Sequence, residues 1–120
     1  MKAVLIIEDD LWLAQQHQRV LRSAGFDTKI ALNALDGIAM IDEELPDAIV
    51  LDVLLPGSTA FAFLNELQSY SDTGTIPVVI CTNLAEDLLL ANLLPYGIRQ
   101  ILDKSKMLPD DLITAVQKAL

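Results

Sequence analysis

Three short apolar runs that each end in charge constrain this chain more than any other feature. Ala3-Val4-Leu5-Ile6-Ile7 runs into Glu8-Asp9-Asp10, and Ala48-Ile49-Val50-Leu51 runs into Asp52. Near the carboxyl end, Ile98 to Leu102 runs into Asp103-Lys104. Apolar, β-branched runs of this length read as buried strands of a parallel sheet. The carboxyl ends of such strands form the ligand crevice of an open α/β sheet. Acids and one lysine delivered to that edge suit a hard cation and a phosphoryl group.

Between these runs the periodicity is helical. Lys2 to Ile7 is a strand, and Leu11 to Ala24 places Leu13, His17, Val20, Leu21 and Ala24 on one helical face. Gly25 stops that helix. Phe26 to Leu32 reads as a second, more exposed strand, and Asn33 is an N-cap for a helix over Ala34 to Glu44. Pro46-Asp47 turns into the third strand, Ala48 to Leu51. Ser58 or Thr59 caps a helix to about Ser69, with Ser71-Asp72-Thr73-Gly74 as a loop. Ile76 to Cys81 is the fourth strand, followed by a leucine-rich helix from Ala85 to Leu94. Pro95-Tyr96-Gly97 precedes the fifth strand, Ile98 to Leu102, and Pro109 opens a last helix reaching Leu120. Five such alternations predict a doubly wound five-stranded parallel sheet with right-handed crossovers.

Composition narrows the function. The 120 residues are expected to form one domain with a single core, and no effector domain is expected in this chain. Although 52% of residues are apolar, no run approaches the roughly 18 that a membrane helix needs. Cys81 is the only cysteine, which excludes an internal disulfide framework and fits a reducing cytoplasm. Eight Lys and Arg against 17 Asp and Glu give a net charge of −9, which argues against nucleic-acid binding by this domain.

The chain as a whole resembles the receiver domain of two-component response regulators. The resemblance rests on the acidic pair after the first strand and on Asp52 followed by Leu55-Pro56-Gly57. It rests also on Ile76-Pro77 leading to Thr82, and on Lys104 after the fifth strand. Four such elements in order, each at a strand end, make a specific signal. The resemblance implies the flavodoxin-like strand order 2-1-3-4-5. It implies Asp52 as phosphoacceptor, Mg²⁺ bound by Asp9, Asp52 and the Leu54 carbonyl, and Glu8 acting on the metal through water. Lys104 and Thr82 would contact phosphoryl oxygens, and the donor would be a histidine kinase or a histidine phosphotransfer protein. Such a domain is a switch rather than an enzyme.

The residues give the same logic a physical basis. A carboxylate attacks a phosphoryl group poorly until positive charge neutralises the transferring oxygens and the geometry is held in line. Clustered carboxylates repel until a cation joins them, and oxygen ligands suit Mg²⁺. Asp10, just before Leu11, is assigned to helix capping rather than to metal. His17 falls on an apolar helical face and Cys81 within an apolar run, so both are read as packing residues.

Several positions depart from the family pattern. Asn83 stands where a small residue is common, and it is a candidate contact for the phosphoryl group. Ile101 replaces the switch aromatic, Ser105 replaces the proline after the lysine, and Ala60 replaces a frequent glycine. Leu54 and Leu84 flank the phosphoryl position and are expected to hinder attacking water. The leucines of 88 to 94 exceed one narrow helical stripe, so this region and the last helix are the expected surface for a downstream protein or a second copy of the chain. The alternative reading is a pseudo-receiver that binds partners without being phosphorylated.

Overall fold

The computed structural model describes residues 1–51, 58–83 and 94–120, with backbone alone at 58–61. Five strands, β1 (Ala3–Ile7), β2 (Asp27–Ala31), β3 (Ala48–Leu51), β4 (Val78–Thr82) and β5 (Ile98–Asp103), form one parallel sheet in the order β2-β1-β3-β4-β5. The described helices are α1 (Leu11–Ser23), α2 (Ala34–Glu43), α3 (Ser58–Gln68) and α4 (Pro109–Ala119). The expected helix from Ala85 to Leu94 lies outside the described residues except for Leu94, which opens a single 3₁₀ turn, Leu94–Tyr96.

Alternation along the central strands builds two cores. Leu5, Ile7, Ile49, Leu51, Val78 and Ile80 face α2 and α3, where Ile41, Phe63, Leu64 and Leu67 close over them. Val4, Ile6, Ala48, Val50, Val79 and Cys81 face the other way, against Leu21 of α1 and Leu112 and Val116 of α4. Successive strand residues point to opposite faces, so a strand covered on both sides must be apolar at every position. This is why β1, β3 and β4 read as continuous apolar runs. Edge strand β2 instead alternates, with Thr28 and Ala31 buried and Asp27 and Lys29 exposed.

Local signals fix the helix ends. The Asp10 side chain accepts the Leu13 amide at 3.2 Å, and Asn33 accepts that of Asp36 at 2.8 Å, each satisfying an amide that the helix leaves unpaired. Gly25, at φ +92°, turns the chain out of α1 in the left-handed region that glycine adopts at no steric cost. Pro109 occupies the first turn of α4, where its missing amide costs nothing. His17 and Cys81 are both buried, as packing residues should be.

Strand bounds differ from the sequence reading by one residue at an end of β1 and β5 and at both ends of β2, and most at β4. Ile76 is not in β4: its amide bonds to the Thr73 carbonyl at 3.2 Å in a turn, and Pro77 has no amide to give. Strand β4 instead extends to Thr82 and β5 to Asp103, paired to the last residue, with an irregularity where Val78 meets Ile98 and Val79 meets Gln100. Lengthening both strands carries Thr82 and Lys104 to the same edge of the sheet.

Gly37 sets the spacing of α2 from the sheet. A Cβ built there would sit 2.8 Å from Ile7 Cδ1 and 3.4 Å from Ile7 Cγ1, and Ile7 is fully buried. Alanine adds about 1 kcal/mol of helix propensity, but overpacking a closed core costs about 1–3 kcal/mol. Gly37→Ala is therefore expected to destabilise the protein in urea denaturation, and Ile7→Val, which removes Cδ1, to recover about 1 kcal/mol in the double variant. Strict additivity of the two changes would mean that this close approach does not limit α2.

Candidate functional site

The site grows from the strand ends. Val4 and Ile6 of β1 and Leu102 of β5 share the core on the α1–α4 side of the sheet. Glu8 and Lys104 continue those two rows past the strand ends by the same period of two. They meet there: Lys104 Nζ donates to Glu8 Oε2 at 3.1 Å, with the two side chains only 12% and 1% exposed. The other Glu8 oxygen, Oε1, accepts the Asp10 amide at 3.0 Å. Glu8 is thus held from two directions, by a residue two positions on and by one 96 positions away.

Thr82 closes β4 and is fully buried, and its carbonyl accepts the Lys104 amide at 3.1 Å. Asp9 and Asn83 are exposed. Strand β3 ends at Leu51, which pairs with Ile7 on one side and Ile80 on the other. Asp52, Leu54 and Leu84 lie outside the described residues, as do the leucines at 88, 89, 90 and 93, while Leu94 is exposed. The structure therefore brings Glu8, Thr82 and Lys104 to one edge. Lys104, expected to meet a phosphoryl oxygen, donates to Glu8.

The segment after Lys104 carries a feature that the sequence reading missed. Asp103 Oδ1 accepts both the Ser105 amide at 2.9 Å and the Ser105 hydroxyl at 2.6 Å. The Asp103 carbonyl accepts the amides of Lys106 and Met107. The Lys104–Ser105 peptide is trans. Serine standing where proline is usual supplies a hydroxyl and an amide, and both bind back to Asp103 to shape the turn that presents Lys104. An Asp two residues before a Ser is the sequence signal that could have shown it.

Those bonds act on Asp103 itself. The Ser105 hydroxyl, then the Ser105 amide, hold its carboxyl below the ordinary value of 3.8; burial opposes them, and Lys106 adds the smallest pull downward. A carboxyl depressed in the folded state contributes stability above its unfolded value, about 3.9, and loses it as pH falls through the folded one. Ser105→Ala should raise the midpoint of the Asp103 carboxyl titration followed by NMR, back toward the ordinary carboxylate value. An unchanged midpoint would show that the hydroxyl does not bind there in solution.

With this geometry in place, comparison with known proteins is decisive. Residues 4–117 match the response regulator receiver domain family. The chain belongs to that family. It is 30% identical over 82 residues to protein PilH of Pseudomonas aeruginosa, covering 68% of each chain. It is 33% identical over 79 residues to the DNA-binding response regulator MtrA of Mycobacterium tuberculosis, covering 66% of this chain but only 33% of MtrA, so it spans about a third of that protein's length. The crystal structure of chemotaxis protein CheY4 of Vibrio cholerae superposes with a TM-score of 0.83 at 23% identity, covering 100% of this chain and 99% of that one, and supports the fold. The receiver domain of two-component systems is thus the fold and family of this chain. Among the described residues no helix is long and apolar enough to cross a membrane.

Proposed function

We propose that this receiver domain accepts a phosphoryl group on Asp52 from the phosphohistidine of a histidine kinase or phosphotransfer protein, and that the modification switches a protein-binding surface. The Glu8–Lys104 pair beside buried Thr82 carries this reading. Leu51 ends β3 between Ile7 and Ile80, at the edge of the sheet where Glu8, Thr82 and Lys104 gather, and Asp52 is the residue that follows it in the sequence.

The donor set fits Mg²⁺. Both Glu8 oxygens are already engaged, by Lys104 and by the Asp10 amide, which suits contact with a cation through water. Asp9 exposes its carboxylate, and with Asp52 and the Leu54 carbonyl it would complete an all-oxygen set. When bound, the ion would neutralise charge on the transferring oxygens.

The chain's own residues supply the rest. An Asp52 carboxylate oxygen forms the new P–O bond as the donor's P–N bond breaks, and the electron pair returns to the imidazole nitrogen. Lys104 places a cation where negative charge accumulates, and the Thr82 hydroxyl offers a hydrogen bond to the same group. An ammonium has three donors, so Lys104 can share them between Glu8 and the phosphoryl group, and that sharing couples phosphorylation to the turn built by Asp103 and Ser105. Ile101 is packed against the α2–α3 core, so output does not depend on an aromatic ring at that position. The surface expected to respond includes exposed Leu94, the residues before it and α4.

Intact mass after incubation with Mg²⁺ and a small phosphoramidate donor tests the proposal. We expect one added phosphoryl group that is lost in Asp52→Ala, and lost equally when the ion is removed with a chelator. Failure with both a small donor and a cognate kinase would favour the pseudo-receiver. Lys104→Met should lower stability, because buried Glu8 loses its partner, and in the folded fraction should slow modification about tenfold or more, since one charge-stabilising contact is worth at least that. An unaltered rate would remove Lys104 from the transfer.

A further inference from the structure

All eight Lys and Arg residues lie before Ile30 or after Ile98, whereas residues 30–98 contain ten acids and no Lys or Arg. The central segment thus carries −10 and the two ends together +1. Among the described residues, which hold seven of those ten acids, folding turns this division of the sequence into a division of the surface. The ends supply α1 and α4 on one side of the sheet, and the middle supplies α2 and α3 on the other.

A groove of about 360 Å³ opens on the acidic side, between the last turn of α2 and the turns after α3, and it continues into a smaller one of about 90 Å³. Its lining is mixed: buried Ile41 lies at the base, with the exposed Leu45 and the Tyr70 ring, 59% exposed, beside it. Its rim is Asp42, Glu43, Asp72 and Glu66, and among the described residues none of these four forms an ion pair. Glu44, just outside, is the acid here that pairs, with Lys29 at 3.3 Å.

The helices add to this field. Both α2 and α3 end toward the groove, and neither has a basic residue in its last turn, whereas α1 has Arg22 and α4 has Lys118. A helix C-terminus carries roughly half a negative charge, and basic side chains there are the usual compensation. Two helix ends without a basic residue in the last turn, four carboxylates, an exposed aromatic ring and Leu45 beside it together specify the occupant. Cations would sit on the rim and against Tyr70, and an apolar side chain would fill the floor.

We propose that the α2–α3 groove is a docking site for a basic segment of a partner protein, one with Lys or Arg on either side of an apolar anchor. The groove lies at the amino-terminal edge of the strands, where Asp47 and Ala3 bond to each other, opposite the Glu8–Lys104 edge. Docking there leaves the phosphoacceptor edge uncovered, so a partner can be held whether or not Asp52 is modified.

The test uses the whole chain and a short amidated peptide in which lysines and arginines flank a leucine–phenylalanine pair. Amide NMR shifts should change at residues 41–45 and 70–73. By fluorescence anisotropy, Asp42→Asn with Asp72→Asn should weaken binding about tenfold, and Tyr70→Ala about fivefold. All three side chains are exposed, so the fold is expected to survive, which circular dichroism checks. A peptide with serine in place of the apolar pair should bind at least about fivefold more weakly. Equal binding of that peptide, indifference to Tyr70→Ala, or shifts centred on Asp9 would each overturn the proposal. None of these outcomes depends on whether Asp52 is phosphorylated.

Discussion

The buried pair between Glu8 and Lys104 is the interaction on which the carboxyl edge of this domain depends. A carboxylate that is 1% exposed is tolerable because an ammonium group and a backbone amide hold its two oxygens. Such a pair adds little net stability over apolar packing, yet removing one partner costs about 3–5 kcal/mol. It therefore acts as a constraint on β1 and β5, whose ends must remain in reach across β3 and β4. The apolar rows beneath it, from Val4 and Ile6 to Leu102, keep those ends level. Charge at the top of the sheet and packing within it are thus one arrangement.

The turn after β5 belongs to the same arrangement. Lys104 points to Glu8 from a backbone fixed on one side by the Thr82 carbonyl and on the other by the Asp103–Ser105 bonds. A phosphoryl group competing for Lys104 would pull on this turn and so on the start of α4. On the proposed function, that would be a physical route from chemistry at Asp52 to a surface, without the aromatic side chain that Ile101 replaces.

Much of this was legible in the amino-acid sequence. Continuous apolar runs announced strands covered on both faces, and Asp10, Asn33, Gly25 and Pro109 marked helix ends by their own local chemistry. What sequence could not show was set by partners far along the chain. Glu8 and Lys104 are 96 residues apart, and no spacing rule predicts that they bond. Strand β4 begins late because the turn at Thr73 captures the Ile76 amide, a competition invisible in an apolar run. The apolar character of 76–81 was correct, but its pairing was decided by β5. The acidic groove was hidden differently: its rim residues come from α2 and from after α3, and only folding places Asp42 beside Asp72.

On the proposed function, the Glu8–Lys104 pair responds when Asp52 is modified. Side-chain NMR of the Lys104 ammonium and the Glu8 carboxyl, recorded before and after phosphorylation, measures this directly. We predict that both signals shift together on modification and that neither moves in Asp52→Ala under the same conditions. A protein that gains its phosphoryl group while the Lys104 and Glu8 signals stay unchanged would contradict the account.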